Sequence, residues 1–255
     1  MSVPDYRTEF ADRTVLVTGG ASGIGRAVAD RLAAGGASVV IADFNTDGAA
    51  GAAEEIVAGG GRASAVRLDV TDPASVEAAV GFATDTYGAL HLAVNNAGLG
   101  GASAPTADYP LQEWQRVVNT NLNGVFYCLR YELPALLAAG GGAVVNMASI
   151  LGTNGFAGSS AYVAAKHGVV GLTKSTALEY ADRGVRINAI GPGFIDTPLL
   201  HKTESIDFEQ LVSLHPVGRL GTAAEVAELT AFLLSDRASF VQGSYHLVDG
   251  GYSAR

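Results

Sequence analysis

Three polar side chains in the stretch Ser149 to Lys166, S-ILGTNGFAGSSA-Y-VAA-K, have the types and spacing that acid–base chemistry needs. Tyr162 and Lys166 are four residues apart in an Ala- and Val-rich segment. On a helix their side chains share one face, with Cβ atoms about 5–6 Å apart. A cation there lowers the phenol from its ordinary pKa of about 10, each unit being worth about 1.4 kcal/mol in favour of the phenolate. Tyr162 is thus a candidate general acid/base. A lone Tyr-x-x-x-Lys is as readily a surface pair, so the surrounding elements must decide.

The apolar run Ala143 to Ala148 reads as a buried strand that Ser149 closes, and Tyr162 opens a helical segment, so a strand end meets a helix start. Ser159 and Ser160 compete with Ser149, but a strand end is better fixed than a turn. From Arg13 onward, strand-like runs alternate with Ala-rich amphipathic segments. The strand candidates are Thr14 to Thr18, Ser38 to Asp43, Ser64 to Asp69, Leu90 to Asn95, Ala143 to Ala148, Arg186 to Ile190 and Tyr245 to Val248. Their near-continuous Val, Ile, Leu and Ala content implies burial on both faces, the mark of a parallel sheet in a doubly wound α/β fold. With 255 residues, 48% hydrophobic, and no linker or repeat, one domain over 1–255 is expected.

The first strand leads into Thr18-Gly19-Gly20-Ala21-Ser22-Gly23-Ile24-Gly25 and then a helix. Glycines let the backbone approach a pyrophosphate, and the helix N-terminus offers free N–H groups; a tight turn without ligand is the alternative. Asp43 ends the second strand, where a carboxylate can accept both ribose hydroxyls of adenosine or act as a turn residue. No Arg or Lys follows at Phe44 or Asn45, and none occurs in the glycine turn, which favours NAD over NADP. Asp69 can reach adenine or cap a helix that Thr71-Asp72 and Pro73 begin. Asn95-Asn96-Ala97-Gly98 either borders the same cleft or ties strands together. Asn121 lies in the apolar half of a long helical pattern, Leu111 to Ala139, bent at Pro134; it serves either a structural water network or the site. Leu199 to Arg219 lacks periodicity and reads as a substrate lid, within about 193–220, or as an irregular insertion.

A net charge of −9 argues against nucleic-acid or anionic-membrane partners. The lone Cys128 excludes a disulfide framework, and the five histidines show no metal-ligand spacing. No apolar run reaches the ~20 residues of a membrane span and the N-terminal MSVPDYRTEFADR is too polar for a signal sequence, so a reducing cytoplasm is expected.

TGGASGIG, NNAG, Asn121, Ser149, Tyr162-x-x-x-Lys166 and the Pro192-Gly193 turn, in that order, resemble the short-chain dehydrogenase/reductase superfamily in its compact single-domain branch. The resemblance covers Arg13 to the terminal VDGGYSA. It implies a seven-stranded Rossmann sheet with helices on both faces and a tetrad of Asn121, Ser149, Tyr162 and Lys166. In the implied reaction, hydride passes between a substrate carbon and nicotinamide while Tyr162 exchanges the proton on the attached oxygen. Ser149 holds that oxygen, Lys166 lowers the Tyr162 pKa and binds the nicotinamide ribose, and Asn121 holds a water. By similarity Gly19, Ser22, Ile24 and Gly25 carry the pyrophosphate side, Asp43 the adenosine ribose, Asp69 and Val70 the adenine and Asn95 the neighbouring ribose, with Gly23, Phe44, Ala97 and Gly98 also binding the cofactor. Pro192, Gly193, Ile195 and Thr197 border the nicotinamide. A homotetramer is implied as well. The three-residue Tyr–Lys gap speaks against the enoyl-reductase branch, and an NAD(H) sensor without turnover is the alternative class. Leu99, Gly100, Ile150, Gly155, Phe156 and the lid around Leu199 to Leu214 are the expected substrate wall; mostly small or apolar, they suit a neutral secondary alcohol or ketone. His201 or Lys202 offers one charged contact at most.

Overall fold

A computed structural model describes residues 8–201 and 207–254. Its seven-stranded sheet is parallel throughout, built from β1 (Thr14–Thr18), β2 (Ser38–Asp43), β3 (Arg62–Arg67), β4 (Leu92–Asn95), β5 (Gly142–Met147), β6 (Val185–Pro192) and a last strand, Tyr245–Val248. Two short strands, β7 (Ile195–Asp196) and β8 (Gly221–Thr222), form a separate pair, so the last sheet strand is β9. The order β3-β2-β1-β4-β5-β6-β9 reverses direction between β1 and β4. That reversal opens a crevice at the carboxyl ends of the strands, where such sheets bind ligands.

Alternate residues of each central strand feed two cores. Val15, Val17, Val39, Ile41 and Val94 pack toward α1 (Gly23–Ala34), α2 (Thr46–Ala58) and the helix Ala223–Leu234, while Leu16, Val40, Ala42 and Ala93 pack toward α3 (Pro73–Tyr87), α5 (Gly124–Ala138) and α6 (Ser160–Tyr180). Both faces of the sheet are covered, which is why its central strands are mostly apolar. Asp72 caps α3 through Ala74 N, with Pro73 in the first turn, as the sequence suggests.

Some boundaries differ from expectation. β3 starts and ends two residues early because Leu68 and Val70 beyond it are buried and mimic its continuation. The pattern from Leu111 to Ala139 is two helices, α4 (Leu111–Val118) and α5, joined by a π-helical turn, Asn119–Asn123. The exposed Pro134 lies within α5 without ending it, so the break falls at Asn121. The proposed lid contains two short helices, α7 (Pro198–His201) and α8 (Phe208–Ser213), ahead of α9 (Ala223–Leu234), and is irregular over 214–220. Lys202 lies outside the described residues.

Candidate active site

At the carboxyl edge of β1 the chain turns through Gly19, which adopts φ +64° in the left-handed region, and enters α1. A Cβ on Gly25 would fall 2.1 Å from Gly19 O, so the turn can fold this tightly only with glycine there. Asn96 holds the turn from the side, its Nδ2 donating to Thr18 O and Gly19 O. Ser22 caps α1 with its backbone and spends no side-chain bond on it, and Gly23 packs near Thr197. A loop this close to a helix N-terminus fits a pyrophosphate. Asp43, at the end of β2, accepts hydrogen bonds from Ala21 N and Asn45 N at 3.0 and 2.9 Å, which fixes its carboxylate beside the glycine turn.

Some named residues are placed differently from the cleft roles assigned to them. Asn95 is buried and its Nδ2 donates to Glu132 and Asn146, both at 3.0 Å, so its side chain ties β4 to β5 while Asn96 lines the cleft. The Asp69 carboxylate accepts from Thr71 N and Thr71 Oγ1, a local turn. Phe44 is exposed beneath the Arg67 guanidinium, 5.1 Å from the ring centroid. That cation comes from β3, so the sequence next to Asp43 gives no sign of it. Val70 is buried against Gly124.

Behind the switch point lies a cavity of about 410 Å³ that brings together Asn121, Ser149, Tyr162 and Lys166. Gly98, Pro192, Gly193, Ile195 and Thr197 also line it, as do Leu99, Gly100, Ile150 and Phe156; Gly155 does not. From the lid come Leu199, Leu200 and Leu211, with Asp207 and Gln210 as the polar contribution. Ser159 borders the cavity, whereas Ser160 Oγ is buried without a partner.

Ser149 Oγ accepts from Leu151 N at 3.2 Å, leaving its own proton free, and it hydrogen-bonds Tyr162. Tyr162 is half-buried and borders the cavity. Burial pushes its pKa up, and the Ser149 hydrogen bond pulls it partly back. The net direction is upward, so burial outweighs what lowers the phenol in this arrangement. Lys166 Nζ donates to Met147 O at 2.7 Å and sits 5.6 Å from the Tyr162 ring centroid. Burial lowers Lys166 itself to about 8. Asn121 is fully buried, Oδ1 accepting from Leu99 N and Nδ2 donating to Leu99 O, so both ends of its amide brace the loop that roofs the cavity.

Glu132 was not legible as part of this region, although a carboxylate in the apolar run LRYELPALL is its signal. It is fully buried behind the crevice, and burial raises it to about 7.

Residues 19–253 match a family profile described as Enoyl-(Acyl carrier protein) reductase. Cyclohexanol dehydrogenase of Acinetobacter sp. (strain SE19) is 52% identical over 247 residues, 97% of each chain. Cis-4-hydroxycyclohexanecarboxylate dehydrogenase of Sinomonas cyclohexanicum is 46% identical, over 96% of this chain and 98% of its own. The solved structure of levodione reductase superposes with a TM-score of 0.92 at 42% identity, covering 96% of this chain and 99% of the other. With the glycine turn, the parallel sheet and the Ser–Tyr–Lys cluster in one crevice, the chain belongs to the short-chain dehydrogenase/reductase superfamily.

Proposed function

We propose that this protein interconverts cyclic secondary alcohols and ketones with NAD. The observation that carries the reading is the convergence of buried Ser149 and Lys166 and half-buried Tyr162 on one apolar cavity beside the glycine turn. Two relatives are named for substrates built on a cyclohexane ring, and Leu99, Ile150, Phe156, Leu199 and Leu211 give this cavity an apolar wall that suits such a body.

When bound, the dinucleotide supplies the hydride acceptor for the alcohol carbon. Gly19, Ser22, Gly23, Ile24 and Gly25 would hold its pyrophosphate, and Asp43 the adenosine ribose. The Asp43 carboxylate disfavours a 2′-phosphate, which supports NAD, although Arg67 is a cation within the same region. Asp69, Val70, Asn95, Ala97 and Gly98 remain in the proposed cofactor wall, Asn95 through its main chain. Tyr162 Oη takes the alcohol proton as phenolate, and Ser149 Oγ donates to the same oxygen and holds it in place. Lys166, still largely protonated below its pKa of about 8, favours that phenolate electrostatically. Because the amide of Asn121 is engaged on Leu99, its contribution to proton movement falls to its main chain.

A single catalytic domain with a lid at about 193–220, a cytoplasmic location fitting the free Cys128, and a homotetramer complete the proposal. The exposed Leu111, Trp114 and Phe126 on α4 and α5, with Leu178 and Leu247, support an apolar self-association surface. The test is a panel of cyclic and open-chain secondary alcohols with NAD and with NADP, run beside Tyr162→Phe. Cyclohexanol turnover preferring NAD, reduced at least about a hundredfold in the variant, is expected. Binding of NAD with no turnover of any alcohol or ketone would support a sensor instead.

A further inference from the structure

Ser149 Oγ can serve Tyr162 only if its backbone is held, and the hold comes from an unexpected strand. The carbonyl of Ser149 accepts from Gly152 N at 2.7 Å, closing the turn Ile150–Gly152. Its second acceptor position is taken by the Tyr245 hydroxyl at 2.5 Å. Tyr245 belongs to β9 and is separated from β5 by the whole of β6. Its phenol crosses β6 over Gly191, where a Cβ would sit 2.2 Å from the hydroxyl. The Thr153 side chain hydrogen-bonds the same hydroxyl, and burial above all, with smaller contributions from Asp249 and Tyr162, pushes the Tyr245 phenol up. Tyr245 therefore stays neutral, as a donor, when Tyr162 ionises.

We propose that Tyr245 is a positioning residue for the reaction: passing over Gly191, its hydroxyl pins the Ser149 carbonyl and so aims the Ser149 hydroxyl at Tyr162. The inference rests on the catalytic reading of Ser149 given above. A carbonyl with both acceptor positions filled and a strand end behind it has little freedom, whereas one held by the turn alone can rotate. The ring of Tyr245 packs with the core on the α6 face, so Tyr245→Phe keeps the packing and removes the hydroxyl's bonds to the Ser149 carbonyl and with the Thr153 side chain.

Loss of the bond to the Ser149 carbonyl predicts a fall in kcat/KM for cyclohexanol of about five- to tenfold, with the KM for NAD unchanged. Since the Ser149 bond draws the Tyr162 pKa down, the rise of oxidation rate with pH moves to higher pH in the variant. A merely structural tyrosine would move neither the pH profile nor the split between kcat and KM. The experiment is a double-mutant cycle of Tyr245→Phe with Ser149→Ala, with melting temperatures measured throughout. If Tyr245 acts through Ser149, Tyr245→Phe is silent once the serine hydroxyl is gone. An impaired Ser149→Ala with an undiminished Tyr245→Phe effect in that background overturns the positioning role alone, as does a wild-type pH profile in Tyr245→Phe. A fully active Ser149→Ala overturns the catalytic reading and the inference with it.

Discussion

Two buried polar clusters flank the end of β5, one sealed and one open. Asn146 leads to the sealed one, in which its Oδ1 accepts from Asn95, Asn95 donates to Glu132, and Asn146 Nδ2 donates to Thr173 Oγ1 at 2.9 Å. The next residue, Met147, leads to the open one, its carbonyl accepting from Lys166 beside Tyr162 and Ser149. Helix α6 supplies both, Tyr162 and Lys166 to the open cluster and Thr173 to the sealed one. The sealed cluster spends its polarity on joining β4, β5, α5 and α6, and borders no part of the 410 Å³ cavity. The open cluster leaves a serine proton and a phenol facing that cavity. Burial of polar groups is common to both; access to a substrate separates structure from chemistry.

Substitutions should separate them in the same way. The largest effect is expected of Lys166→Met, which should lower kcat about a hundredfold or more, measured in the NAD-linked oxidation of cyclohexanol. The same change should raise stability at pH 7. A lysine whose folded-state pKa is depressed to about 8 carries a burial cost that is complete below that pH and fades as pH rises toward its ordinary 10.5. Allowing for the lost bond to Met147 O, a gain of about 2 kcal/mol in urea unfolding is expected, and a stability loss would show that the cation is structural.

Glu132→Gln in the sealed cluster should show the opposite profile, with activity near wild type and stability changed. With its folded-state pKa near 7 against an ordinary 4.5, the native state holds this proton more tightly, so stability is highest below about pH 4.5 and declines as pH rises to about 7. The variant removes that decline, and unfolding at pH 5 and pH 8 should reveal a benefit of up to about 3 kcal/mol confined to the higher pH. A large loss of turnover in this variant would mean that the two clusters act as one. The smallest effect is expected of Thr173→Val, which leaves Asn146 Nδ2 without its acceptor and should cost about 1–2 kcal/mol with little change in kcat.

How much was legible beforehand varied with the environment of each residue. β1, β2 and β9 agree to the residue with the expected strands, whereas β3 lies two residues early because the buried Leu68 and Val70 beyond it imitate strand positions. Ser149, Tyr162 and Lys166 could be nominated because strand end, helix start and i,i+4 spacing are local properties. Asn95 reads from the sequence as a cleft residue, but side chains alternate along a strand and at Asn95 the amide falls on the α5 side, opposite Glu132. The reach of Tyr245 over Gly191, and of Arg67 toward Phe44, depends on which strands are neighbours.

By itself the sequence determined the alternation of strand and helix, the glycine turn, the acidic end of β2 and the register of tyrosine with lysine, all consequences of short-range periodicity and of side-chain type. The tertiary structure decided which polar groups face the cavity and which face each other, where the Lys166 ammonium points, and which burial costs move Tyr162, Lys166 and Glu132. Those outcomes rest on contacts between residues far apart in the chain and on the solvent that their packing excludes, and neither quantity is carried by any local pattern.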